Sequence, residues 1–361
     1  MADFQEFLDP KNWVYFTELV QVTPPDTQFL TKLLIGDINV KSGNMKVRTS
    51  PERSIVYDVE HFERPLAPLR GYYSEPIEVS RLTNREQKTA PIVSIPLRDY
   101  IPIELFDRFV PAPALNVQSS TKIKNDMWKR EIIMAQSGMM KMVTRRVEAM
   151  LGQIIATGKV TYNDGQFSVS HDFELNPDCF ISATASLPGA KAWNVADAEP
   201  VTDLREMRLR FSKMNAGGPA IILAGSDVAE AILYKSTITN KMNFLRADYG
   251  NIKPKFADEK QVEYLMTLQG IGELYHYYGM YDEAGVAKDY LDPKKVYFIS
   301  GDWFRLYYGA IASTLLNGIA EMDFFSYTEA SKSKKGYDVV LETKPFPVVV
   351  HPNSIMSFKV L

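Results

Sequence analysis

The side chains able to do chemistry are few and scattered. Four histidines, His61, His171, His276 and His351, stand apart, none within the spacing at which two imidazoles share a metal ion, so structural or surface roles are expected. Cys179 is the only cysteine, which excludes an internal disulfide and any multi-cysteine zinc site. Asp282, Glu283 and Asp289 cluster in "YDEAGVAKD" but lack the alternating oxygen ligands of a calcium loop; a hairpin turn with a solvated acidic face is expected. There is no phosphate-binding loop, no dinucleotide fingerprint, no HExxH and no GxSxG. The glycines of "NAGGPA" follow a helical pattern and precede a strand, the reverse of the order that places a phosphate on a helix N-terminus, so they read as a turn. Tyr275, Tyr277, Tyr278 and Tyr281 are flanked by Glu273, Asp282 and Glu283 rather than by basic residues; a sheet core or subunit interface fits them better than base stacking. No catalytic, cofactor-binding or metal-binding residue is expected, and no cofactor.

Bulk composition narrows the class. The 361 residues are 45% hydrophobic, enough to bury a core and to fill two structural units or one elaborated domain. A formal net charge of −3, from 41 basic and 44 acidic side chains, exerts no global pull on nucleic acid or anionic membrane. The opening "MADFQEFLDPKNW" has no basic region followed by an apolar stretch, and no run of about 18 apolar residues occurs, so neither secretion nor membrane spanning is expected.

Several elements can be placed. A short helix around Trp13 to Val20 is broken by "TPPD" and reads as an arm. From Ser54 to Pro102 the β-type pieces "SIVYDVE" and "PIVSIPL" are separated by prolines, as in a projecting loop whose exposed limb is the polar "SRLTNREQKTA". Ile132, Ala135, Met139, Val143, Val147, Met150 and Ile154 fall at steps of three or four, one face of a helix running from about Ser119 to Thr157. Ser119, Ser120 or Thr121 supplies its N-cap and Gly158 its left-handed stop. Such a helix spans roughly 50 Å, a spine rather than a core helix, with Met127, Met134, Met139, Met140, Met142 and Met150 as adaptable packing along it. Val160 and Tyr162, then "NDG", then Phe167, Val169, His171 and Phe173 form a β-ribbon directly after it.

A second unit begins near Trp193. Val201, Leu204, Met207, Phe211 and Met214 share a helical face, "AIILAG" is a buried strand, and "SDVAEAILY" is a helix capped by Ser226. Residues 261–312 are rich in aromatics and β-formers, and after the basic "SKSKKG" the tail returns to strands.

Six stretches occur in an order that matches one family. Arg146, Glu148, Ala156, Thr157, Gly158 and Lys159 fit the end of its spine helix; "VYDVEHFERPLAPLR", "YIPIELF", "AWNVADAEPVTDLREM", "YGMYDEAGVAKDYLDPKKVYF" and "ETKPFPVVVHPNSI" fit the rest. On these the chain resembles the capsid protein E family of lambda-like tailed phages, over nearly its whole length. The resemblance implies an α+β protein of the Hong Kong 97-type capsid fold. Its parts are an N-terminal arm (1–51), an extended loop (52–100), a peripheral domain (101–190 and 326–361) with the spine helix (about 119–157), and an axial domain (191–325). It implies a major capsid protein, not an enzyme, assembling in the bacterial host cytoplasm into hexameric and pentameric capsomers and thence the virion's icosahedral shell.

The implied partners are further copies of the chain, a portal, a decoration protein, and a separate scaffold protein, since the short arm leaves no room for a cleaved scaffolding segment. Double-stranded DNA is enclosed without sequence-specific binding; no membrane is involved. Inter-subunit contacts are expected from Arg64, Arg70, Arg81, Arg85 and Lys88 in the loop and from Trp128, Arg145, Arg146 and Glu148 on the spine. Crosslinking through Lys88 stays open on the sequence, with its absence the favoured reading. An encapsulin-like shell around protein cargo shares the fold, and a soluble α/β enzyme is the alternative from another class.

Overall fold

The computed structural model describes residues 9–22, 28–38, 43–52, 54–62, 83–104, 117–163, 167–182, 191–214, 221–233, 261–268, 270–283, 285–332 and 335–361. In chain order they begin with helices α1 (Trp13–Val22) and α2 (Phe29–Leu34), strands β1 (Val47–Ser50), β2 (Ser54–Phe62), β3 (Thr83–Pro91) and β4 (Ile95–Pro102), and the 41-residue helix α3 (Val117–Thr157). Next come β5 (Lys159–Asn163), β6 (Ser168–Asp172), β7 (Phe180–Ile181), α4 (Pro200–Met214), β8 (Ile221–Ala224) and α5 (Ser226–Leu233). Then follow β9 (Val262–Leu268), β10 (Gly272–Tyr277), β11 (Met280–Glu283), β12 (Val286–Asp289), β13 (Lys295–Ile299) and β14 (Phe304–Gly309). The last elements are β15 (Ile311–Ser313), β16 (Gly318–Ala320), β17 (Phe324–Ala330), β18 (Gly336–Thr343), β19 (Pro345–Val349) and β20 (Ile355–Lys359).

The chain divides into two compact units. Unit 1 comprises residues 1–55, 91–151 and 305–347, and unit 2 residues 56–90, 152–304 and 348–361. The expected boundaries differ, because strands pair by register rather than by proximity in sequence. β7 and β20, assigned above to the peripheral domain, lie in one six-stranded sheet of order β7-β20-β13-β8-β10-β9 with strands assigned to the axial domain. β4, assigned to the extended loop, instead forms the edge of the sheet β17-β18-β4, with Ile101 opposite Tyr337 and Leu97 opposite Leu341.

In unit 1, α3 turns Ile132, Ala135, Met139, Val143, Val147 and Met150 inward, the face its periodicity predicts. Three polar residues share that interior. Gln136 donates its amide to Phe16 O (3.2 Å) and Ser326 Oγ (2.9 Å), Thr144 donates its hydroxyl to Lys141 O (3.0 Å), and Glu148 accepts from α2. Helix α1 lies on β17, with Trp13 against Phe325 (5.6 Å between centroids), Thr17 accepting from Ser326 N (3.1 Å) and Gln21 donating to Asp323 (3.0 Å). Phe16, Val20, Leu30 and Leu34 are buried there, which their apolar surface requires. Among the remaining strands, β1 pairs in parallel with β14, with β19 on its other side, and β15 pairs with β16.

In unit 2, Trp193, Leu204, Met207, Phe211, Val228 and Ile232 pack on Ile222, Leu274, Val296, Phe298 and Phe358 of the six-stranded sheet. Val201 and Met214 of the expected α4 face are partly buried at its rim. Gly225 rather than Ser226 precedes α5, accepting from Ala229 N (2.9 Å), because a Cβ at 225 would stand 2.5 Å from the Asp292 carbonyl. The spine's last turn ends as expected: Gly158, φ +72°, donates to Ile154 O (2.8 Å) and delivers the chain into β5. Its start at Val117 lies two residues before the earliest expected cap, Ser119. The "NDG" turn reaches outside the described residues; the strands flanking it pair from Lys159 opposite Asp172 to Asn163 opposite Ser168.

Candidate assembly surfaces

Within the extended loop, β2 and β3 form a two-stranded ribbon. Arg85 on β3 binds Glu60 on β2 at 3.0 Å, with its own side chain 64% exposed. Lys88 is 15% exposed and its ammonium reaches Glu174 at 2.6 Å. Glu174 follows β6 in the left-handed region (φ 52°), its N–H donating to Asp172 Oδ1 at 2.9 Å. Lys159, hydrogen-bonded to Asp172 at 2.8 Å, holds that carboxyl below its usual range. Tyr57 Oη lies 3.1 Å from His171 Nε2. Burial pushes the phenol up and the imidazole down, so both are uncharged at neutral pH. Phe173 stands edge-on to His171 at 4.7 Å and closes the cluster.

The ribbon β2–β3 is thus clasped to β6 and to Glu174, two residues beyond it, by one ion pair and one aromatic hydrogen bond, both within unit 2. This alters the reading of two residues. Arg85 and Lys88 were expected to reach acidic groups on a neighbour, and each already has one on its own chain. Arg64, Arg70 and Arg81 lie outside the described residues.

On the spine, Trp128 and Glu148 have 0% exposure. Trp128 stands edge-on to Tyr337 at 4.8 Å. The Glu148 carboxylate accepts from Leu30 N (2.7 Å), Thr31 N (2.7 Å) and Thr31 Oγ1 (2.6 Å), capping the first turn of α2, where N–H groups have no partner within the helix. Both side chains therefore hold unit 1 together from inside, a correction to their expected place on an assembly face. Arg145 is exposed and Arg146 half-buried.

The groups able to do other chemistry stay apart. His61 lies 3.9 Å from Glu86, His276 3.5 Å from Glu263, and His351 is buried against Trp303, 5.0 Å between centroids. Burial pushes the Cys179 thiol up to about 12, so it is neither nucleophile nor thiolate ligand at neutral pH. Among the described residues no three His, Cys, Asp or Glu side chains converge on a metal-sized space. Tyr275 and Tyr277 are buried in the six-stranded sheet, while Tyr281 stacks on Tyr290 at 4.9 Å. Asp282, Glu283 and Asp289 belong to the hairpin β11–β12, where Glu283 binds Lys288 at 2.8 Å. No helix among the described residues is long and apolar enough to cross a membrane. Sequence reasoning missed Tyr57, Thr31 and Glu174; a left-handed glutamate and a cap supplied from another helix leave no local signal.

The comparisons agree with this architecture. The model of the phage major capsid protein E family matches residues 21–360. A prophage capsid protein from Escherichia coli CFT073 superposes with a TM-score of 0.64 at 13% identity, covering 97% of each chain. A phage-related protein of Bordetella bronchiseptica RB50 follows at TM-score 0.46 and 11% identity, covering 96% of each chain. The capsid of cyanophage P-SCSP1u follows at TM-score 0.43 and 10% identity, covering 87% of this chain and 85% of its own. No curated protein matches. The mixed α+β chain, with its long spine helix and clasped β-ribbon, has the Hong Kong 97-type capsid fold. This chain belongs to the phage major capsid protein E family.

Proposed function

We propose that the chain self-assembles through hexameric and pentameric capsomers into the icosahedral head enclosing a tailed phage's double-stranded DNA, as a structural protein without catalytic residues. The family match over residues 21–360 carries this reading. The ribbon β2–β3 supports it, because a two-stranded ribbon has little core of its own and gains stability by lying on something else. The net charge of −3 suits a container for a polyanion, since a strongly basic lining would bind DNA and hinder its packing. Assembly takes place in the host cytoplasm with a separate scaffold protein and a portal, residues 191–325 meet their copies at capsomer centres, and a decoration protein reinforces the shell.

The test is negative-stain electron microscopy of the purified full chain, alone and co-expressed with the scaffold. Closed shells, rings or tubes are expected, and DNA rather than protein inside the shells made during infection. A uniform small species that stays small with the scaffold present would overturn the assignment.

A further inference from the structure

The outward face of α3 is unusual for a solvated surface. Met127, Arg130, Met134, Gly138, Lys141 and Arg145 follow one another at steps of three or four, so they form a single stripe about 27 Å long. Met134 is 61% exposed, and beside the stripe Met142 is 59% and Ile133 38% exposed. Arg130, Lys141 and Arg145 are all exposed, and none has an ion-pair partner among the described residues. Lys141 and Arg145 stand four apart, the spacing at which like charges repel on a helix. At the middle of the stripe, a Cβ built on Gly138 meets nothing within 4 Å, so the backbone there is open to close approach.

We propose that this stripe is the docking face for an acidic amphipathic helix of the scaffold protein, a proposal that rests on the capsid reading above. Cations without a partner among the described residues call for carboxylates, and methionines adapt their shape to an apolar seam. Gly138 lets the partner's backbone come near, and a helix lying along a helix reads residues at this spacing. DNA is the poorer occupant, because phosphates would use the cations and leave the exposed methionines and isoleucine wet.

The test uses the full chain and a synthetic 21-residue helical peptide with a leucine seam flanked by glutamates, read by fluorescence anisotropy. A scrambled peptide and a 20-base-pair DNA duplex are the controls. Binding of the helical peptide alone is expected, weakening with salt. It should fall more than tenfold in Lys141→Glu/Arg145→Glu, and also in Met134→Ser/Met142→Ser, which keeps the charges. Equal binding of the peptide to wild type and both variants overturns the proposal, as does no binding, or binding of the duplex with no effect of the methionine changes. The same preparations, viewed by electron microscopy with the scaffold co-expressed, judge the capsid reading separately: wild-type shells uphold it whatever the peptide does.

Discussion

Removing the Glu148 carboxylate leaves Leu30 N and Thr31 N buried without an acceptor. Glu148→Ala should therefore cost about 3 kcal/mol of unfolding free energy, measured by urea denaturation, with faster proteolysis near Lys32. Glu148→Gln, which keeps one acceptor oxygen, should recover part of it. The Lys88–Glu174 clasp is a smaller matter: with Glu174 70% exposed, a double-mutant cycle of Lys88→Met and Glu174→Gln should give a coupling of about 1 kcal/mol or less.

His351 gives a pH dependence. It is buried, its Nδ1 accepts from Asn353 N at 3.1 Å, and burial together with nearby His61 lowers its pKa to about 4. The unfolded chain takes up this proton near pH 6.5 and the folded chain only near 4, so the stabilisation is complete above 6.5. It is lost as pH falls through that window, by roughly 3 kcal/mol. His351→Asn, which retains an acceptor, should flatten that part of the stability profile relative to wild type. The Glu148 and Lys88 pairings were not legible in the sequence, since Thr31 and Glu148 lie 117 positions apart and Lys88 and Glu174 lie 86 apart.

At the scale of elements, two glycines of α3 have opposite expectations. Gly138 faces open space, so Gly138→Ala should stabilise the helix by about 0.5–1 kcal/mol. Gly152 lies against Tyr290, where a Cβ would stand 2.4 Å from the carbonyl oxygen, so Gly152→Ala should destabilise by about 1–3 kcal/mol. Thermal unfolding of the two variants checks both signs. The spine's inward face was legible because an apolar repeat near 3.6 residues, sustained over many turns, is what a helix with one buried face requires. The packing of α1 and α2 was not, since helices of ten and six residues carry a weak pattern and owe their place to Ser326, Asp323 and Glu148, which are distant in sequence. β4 could be read as extended but not placed, because its partner β18 begins more than 230 residues downstream.

For the whole molecule, the order of the elements was more informative than any site, which is why a family could be recognised while its contact residues could not be placed. Reversal of Arg70 and Arg85 to Glu should yield a folded protein that assembles poorly, scored by circular dichroism and by the yield of particles on a gradient. Arg85→Glu alone sets two carboxylates across the ribbon where Glu60 now has a cation, and should account for part of the loss. Normal particle yields from the double variant would show that Arg70 and Arg85 have no part in assembly.

The interleaving of the two units has a consequence for biosynthesis. β20 is an inner strand of the six-stranded sheet, between β7 and β13, yet it is made after all of the sheet's other strands. With translation adding about 5–20 residues per second, the sheet waits many seconds after β8 emerges for the strand that completes it. A nascent subunit therefore exposes an unfinished sheet while it is still tethered to the ribosome. A chain truncated before Ile355 should therefore fail to enter shells, checked by its absence from particles when it is co-expressed with the full chain.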